Sequence, residues 1–219
     1  TGVYAHKLDE DFKHIAKNKC VATDFDSCMH HWATQGLNYY ILAKLHWNPD
    51  LNVDEAIDDY CRTGFRNAAN HIKRYFLNIE ELTDMVAAKK GRDINSKSAD
   101  VTEFYTPQTI AQLRSLLSQA NDATKNDVEV RKRIAFLRTG LDFTELQASI
   151  YRLLRLSNQR RLEPDEQKEA IALLDKKYLM MRDIFRRNHF AVNVAVMSWG
   201  EWWRFKRLGW DGPSTRNAE

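Results

Sequence analysis

Glycine and proline are scarce in this chain, and their placement decides what it can fold into. Only 8 Gly and 4 Pro fall among 219 residues, which leaves unbroken stretches far longer than a β-strand of about 5–6 residues. Within these stretches apolar side chains recur at three- and four-residue intervals, the period of a helix face. The remaining positions are rich in Ala, Glu, Lys, Arg and Gln, all good helix formers. The expectation is a mainly α protein, an antiparallel helical array with no repeat of fixed period.

The pattern places the helices individually. Leu8, Phe12, Ile15 and Ala16 mark a surface helix over residues 8–17. Leu37, Tyr40, Ile41 and Leu45 share one face of a helix over 36–47, closed by Asn48-Pro49-Asp50 because proline disfavours helical geometry in its predecessor. Asn52, with Glu55 three residues on, caps a helix whose inner stripe is Val53, Ala56, Ile57, Tyr60 and Cys61, and Gly64 marks its end. Ile72, Tyr75, Phe76, Ile79, Leu82 and Val86 define a longer one from residue 68, stopped by Gly91. Thr106-Pro107 supplies an N-cap and a first-turn proline for a helix with Ile110, Leu113, Leu116, Leu117 and Ala120 inside. Helical spacing then runs from Asp127 to Ser157, with a bend expected at Gly140, and resumes at Pro164. One short β-strand is expected near residues 20–25, where Cys20-Val21-Ala22-Thr23 leads into Asp24-Phe25-Asp26.

A hydrophobic content of 43% over this length suffices for a real core. The 33 basic and 30 acidic residues nearly cancel, so the chain lacks the single-sign field that binding a polyphosphate requires, and nucleic acid is not an expected partner. Arg131-Lys132-Arg133, Arg160-Arg161 and Arg186-Arg187 suit an acidic glycan by charge, but with acids interspersed they read as solvated helix faces. Cys20, Cys28 and Cys61 are odd in number and lack metal-ligand spacing. With no Gly-rich phosphate loop, His-Glu-x-x-His, nucleophile elbow or Cys-x-x-Cys, the sequence implies neither metal nor cofactor. The most apolar late stretch, residues 190–203, is interrupted by Asn193, Ser198 and Glu201 and is shorter than the roughly 20 residues of a membrane span. A chain opening on Thr1 reads as a processed product or a piece of a longer one.

The run from Asp24 through His30-His31-Trp32-Ala33-Thr34-Gln35-Gly36 to Tyr39-Tyr40 resembles the closing barrel segment of a bacterial domain-of-unknown-function family classed with glycoside hydrolases. His46-Trp47-Asn48-Pro49-Asp50 and Tyr60-Cys61-Arg62-Thr63-Gly64-Phe65 resemble the same family's Trp-x-Pro-Asp turn and Tyr-Cys-x-x-Gly-Phe helix end, with a looser likeness through residues 133–141. The resemblance implies a (β/α)-barrel preceding a helical C-terminal region, a plan similar to that of α-glucuronidases. Residues 1–35 would then be the last, incomplete barrel unit and residues 36–219 the helical domain. It further implies a secreted or periplasmic protein, a carbohydrate ligand and, as a partner, the N-terminal barrel of the same protein.

On that resemblance the weak catalytic candidates are Asp24 and Asp26, since catalytic groups sit at the C-terminal ends of barrel strands. In a strand both would point the same way; the competing role is capping the next helix. His30, His31, Trp32 and Gln35 are candidates for a sugar subsite, the indole stacking on a pyranose face while polar groups bond hydroxyls. Trp199, Trp202 and Trp203, at i, i+3 and i+4, suit core packing or an exposed platform. The expected role is structural support for a barrel with sugar contacts, inactive alone because a barrel enzyme draws its groups from several strands. The alternative is a self-contained helical module that binds a protein.

Overall fold

The computed structural model describes residues 2–23, 31–90, 102–195 and 204–212. Among them run the α-helices α1 (Ala5–Lys17), α2 (Trp32–Trp47), α3 (Val53–Phe65), α4 (Ala69–Lys90), α5 (Pro107–Asp122), α6 (Val128–Gln159) and α7 (Pro164–Asn188). The mainly α class follows from the sparse breakers. Short links at residues 66–68, 123–127 and 160–163 bring consecutive helices back alongside one another.

Capping residues set the starts where the sequence places them. Asn52 accepts from the Glu55 N–H, Thr106 from Thr109 and Asp127 from Val130, each relieving an otherwise unpaired first-turn donor. Before α7, the Glu166 carboxylate accepts the Glu163 N–H at 2.9 Å and also grips Arg160 at 2.6 and 2.7 Å. The N-terminus is held by distant side chains instead. Val3 N–H donates to Thr83 Oγ1, Tyr4 N–H to Asn38 Oδ1 and His6 N–H to Glu80 Oε1, and helix α1 begins three residues before the expected start.

The core is continuous through α1 to α5 and the first half of α6, where Ile41, Ile57, Ile72, Leu117 and Leu141 lose all contact with solvent. The second half of α6 turns Leu146, Ile150 and Leu153 into a separate cluster with Ala170 and Leu174 of α7 and with Phe205, Leu208 and Trp210. A 32-residue α6, about 48 Å long, therefore spans both cores.

One expectation is corrected. Residues 20–23 form no strand; they are largely exposed coil, with Thr23 Oγ1 against His46 Nε2, and among the described residues there is no strand to pair with. An unpaired strand leaves its backbone groups to solvent and gains nothing. Positions 24 and 25 lie outside the described residues. Helix α6 runs through Gly140, where the sequence places a bend. Glycine is needed there for a close crossing: a Cβ would lie 2.6 Å from the Ala33 carbonyl oxygen of α2. The domain junction expected between residues 35 and 36 falls inside α2.

Candidate functional site

Helix α2 begins at Trp32, four residues before the expected start, because its first donors find partners from far along the chain. Asn188, the last residue of α7, accepts the Phe190 N–H with its side chain and the Ala191 N–H with its carbonyl. The turn so fixed presents the Phe190 and Ala191 carbonyls, which accept the Trp32 and Ala33 N–H groups at 3.0 and 3.2 Å. These are the orphan donors that any helix start must satisfy. His31 joins the same seam, its Nδ1 accepting from Asn193 N–H at 3.3 Å.

From that anchored start, Trp32, Gly36 and Tyr40 recur every four residues and share one face. They form one wall of a groove of about 510 Å³. Helix α3 supplies Asp59, Tyr60, Thr63 and Gly64; α6 supplies Glu129, Lys132, Arg133, Phe136 and Leu137; Asn188 closes one end. The volume lies within the usual range of small-molecule pockets, about 300–1,000 Å³. A second hollow, of about 590 Å³, lies among Arg66, Asn67 and the residues from Asp122 to Glu129, but it has no aromatic side chain in its lining. The groove at Trp32 is the better candidate because it pairs aromatic rings with charged and polar groups.

Trp32 is 45% exposed and stands edge-on to Tyr39 at 4.9 Å. Tyr60 lies deeper, with its ring centroid 5.2 Å from Tyr40 and 5.8 Å from Phe76. Burial pushes its phenol up to about 12, so it stays protonated and able to donate. A Cβ on Gly36 would come within 3.3 Å of that hydroxyl, so glycine keeps the space beside it open. No protein hydrogen-bond partner meets the Tyr60 hydroxyl among the described residues.

The acids of the groove are ionised acceptors. Asp59 takes the Tyr40 hydroxyl at 2.5 Å and Thr63 Oγ1 at 3.3 Å. The Tyr40 hydrogen bond, followed by that of Thr63 and the charges of Lys44 and Arg62, holds its carboxyl below the usual range against desolvation. Tyr40 itself is pushed up to about 12, first by burial and then by Asp59. Lys132, 2.9 Å from Glu129, lowers that carboxyl likewise. Arg133 donates to the Gly64 carbonyl at 2.7 Å, tying α6 to the end of α3.

The structure brings Trp32 to the groove. His31 is engaged in the seam behind it, and Gln35 accepts from Asn38, whose side chain also reaches Tyr4 and Gly2. Asp24, Asp26, His30, Trp199, Trp202 and Trp203 lie outside the described residues. The sequence singles out none of Tyr40, Asp59 and Tyr60 for a site, and Arg133 only as part of a basic cluster. Their signal is an i, i+4, i+8 stripe on α2 beside Asp59 and Tyr60 one turn from Thr63 and Gly64. Among the basic clusters, Arg160 is paired with Glu166, Arg187 with Asp183 and Lys132 with Glu129.

Among the described residues no group of three or more His, Cys, Asp or Glu side chains is placed to hold a metal ion, and no helix is long and apolar enough to cross a membrane. His6 does touch two acids, but Glu80 meets its Nδ1 edge and Asp54 its Nε2 edge, so the three do not converge.

Residues 4–77 match the model of a family described as a domain of unknown function, DUF4838. The match spans α1 to α3 and the first part of α4, about a third of the chain, and includes Trp32, Tyr40, Asp59 and Tyr60. Neither the curated proteins nor the solved structures contain a match to the chain.

Proposed function

We propose that this chain is a non-catalytic helical part of a glycoside-hydrolase-like protein, and that it holds carbohydrate in the groove between α2, α3 and α6 while supporting a barrel. The observation that carries the reading is the half-exposed Trp32 indole at the rim of a groove that also holds the Tyr60 phenol and the Asp59 and Glu129 carboxylates. A sugar ring needs both an apolar face to stack on and hydrogen-bonding groups around its edge. The resemblance through residues 24–65 motivates the glycoside-hydrolase connection.

The electrostatics favour binding without bond cleavage. A glycosidase acid must keep its proton, so its pKa is raised. Asp59 and Glu129 are both shifted the other way by hydrogen bonds to their charged forms. They accept hydroxyl protons but are poor donors to a leaving oxygen.

The test is titration of the chain with neutral and uronic-acid mono- and oligosaccharides, followed by tryptophan fluorescence and calorimetry. One class is expected to bind, Trp32→Ala to weaken it about tenfold, equivalent to about 1.4 kcal/mol, and no reducing ends to be released. Absence of binding across both classes, or full affinity in Trp32→Ala, overturns the reading. The second reading, a helical module that docks a protein, draws on another face, where Trp47 at the end of α2 is 91% exposed. Loss of a protein partner on Trp47→Ala, with sugar binding absent, would favour it.

A further inference from the structure

The charged side chains that line the groove are Asp59, Glu129, Lys132 and Arg133, and the first three are already balanced. Glu129 and Lys132 pair with each other at 2.9 Å. Asp59 accepts from the Tyr40 and Thr63 hydroxyls, and the charges of Lys44 and Arg62, which stand outside the lining, act on it as well. Arg133 differs. Its Nη1 donates to the Gly64 carbonyl at 2.7 Å, a neutral acceptor, and among the described residues it enters no ion pair. Glu129 feels its charge, but after that of Lys132, to which it is bonded. A guanidinium carries five N–H donors in a planar fork, so one hydrogen bond leaves most of them unused.

The bond to Gly64 also sets where those donors are. Tyr60 and Gly64 are four residues apart on α3 and share a face, so the guanidinium is held about one turn from the phenol. Its charge reaches the Tyr60 hydroxyl, which burial first and Cys61 second push up and Arg133 draws back. Gly36 keeps the space at that hydroxyl open. A cation with unused donors, a protonated phenol and room for a ligand therefore meet in a groove whose rim carries the Trp32 indole. A neutral sugar would leave the guanidinium without a counter-charge, whereas the oxygens of a carboxylate or sulfate match its fork. Resting on the carbohydrate reading above, we infer that the groove selects acidic sugars, with the anionic group on Arg133 beside Tyr60, which makes Arg133 the residue that sets specificity.

The experiment titrates the chain with sugars matched except in charge: glucuronate against glucose, galacturonate against galactose, and galactose 6-sulfate as a sulfate arm. In the wild type at least one acidic sugar binds at least tenfold tighter than its neutral counterpart, and the margin shrinks as salt is raised. Tight binding confined to the uronates identifies a carboxylate site, and binding confined to the sulfate a sulfate site; both support the inference. Arg133→Gln keeps an N–H donor for the Gly64 carbonyl and removes the charge. It is expected to lose the acidic preference, with its unfolding midpoint and its affinity for the neutral sugar unchanged. If Arg133 merely ties α6 to α3, the variant instead melts lower and weakens both sugars of a pair alike, which overturns the inference. Equal affinity within every pair in the wild type, or an acidic preference that survives in Arg133→Gln, also overturns it and leaves the groove reading intact. If no sugar of either kind binds, the groove reading itself fails and the inference falls with it.

Discussion

Alanine at Gly140 tests the helix crossing that sets the groove's shape, and two opposed effects decide the result. In a helix interior, replacing glycine by alanine favours the helix by about 1 kcal/mol. Against this, the new Cβ would lie 2.6 Å from the Ala33 carbonyl oxygen, 2.9 Å from its carbon and 3.0 Å from Thr34 Cγ2. Carbon contacts are most favourable at about 3.5–4.0 Å. Two of the three atoms belong to the α2 backbone, so no rotamer change relieves the overlap and the helices must separate. Overpacking costs about 1–3 kcal/mol. Here the upper half applies, because movement of α2 also strains the Trp32 and Ala33 hydrogen bonds to residues 190 and 191.

The net effect is a loss of about 1–2 kcal/mol. At about 2–4 °C per kcal/mol for a chain of this size, Tm falls by roughly 2–8 °C. Gly64→Ala is the matched control. It sits in the last turn of α3 with no atom within 4 Å of the new Cβ and no positive φ. That variant is expected to gain about 0.4–1 kcal/mol. Urea and thermal unfolding followed by circular dichroism should therefore move in opposite directions for the same chemical change. If Gly140→Ala melts at or above wild type, the close crossing of α2 and α6 is wrong.

Two further outcomes follow from titratable groups. Burial opposes charge on His6, but the hydrogen bond and charge of Glu80, then those of Asp54, more than offset it, so its pKa rises above the ordinary 6.5. A raised folded-state pKa gives stability that is complete below 6.5 and is lost as pH climbs through the folded value. Unfolding midpoints should fall as pH rises above 6.5, and His6→Gln should flatten that slope; an equal slope in the variant would refute the assignment. Cys61 is buried and its thiol is pushed up to about 12, first by burial and then by Asp58, whereas Cys20 is exposed. Peptide mapping after brief iodoacetamide treatment should find Cys20 alkylated in the native protein and Cys61 only after denaturation.

The sequence shows the helices and hides the groove, for a physical reason. Caps at Asn52, Thr106 and Asp127 act within four residues, so their chemistry is legible locally. The start of α2 is not, because its first donors are satisfied by carbonyls more than 150 residues away. Reading that helix from Gly36 instead of Trp32 removes the first member of the Trp32, Gly36, Tyr40 stripe. Trp32 can then be valued for its side chain but not joined to Tyr40. The same limit applies at Gly140, where the reason for glycine is the backbone of another helix rather than a property of α6. At Gln35 the structure adds a partner one turn away, since its side-chain oxygen accepts from Asn38.

How the family match lies on the fold has a consequence for specificity. Residues 4–77 carry the stacking wall and Asp59, but the facing wall of Glu129, Lys132, Arg133 and Phe136 comes from α6, and the carbonyls that hold Trp32 come from residues 190 and 191. The matched segment alone would leave the first donors of α2 without those partners and the groove open on one side. Orientation of Trp32 is therefore a property of the whole helical array. Charge on the opposite wall is separable from it: Glu129 and Lys132 are exposed, pair with each other across one turn, and pack no core. Changing that pair alters the charge of the groove, whose two acids and two bases otherwise balance, at little cost in stability, since exposed pairs contribute about 0–1 kcal/mol. Lys132→Glu should thus shift preference between neutral and uronic-acid sugars while leaving the unfolding midpoint close to wild type. A large loss of stability would instead make the α6 wall part of the structural core rather than the part of the site that selects its ligand.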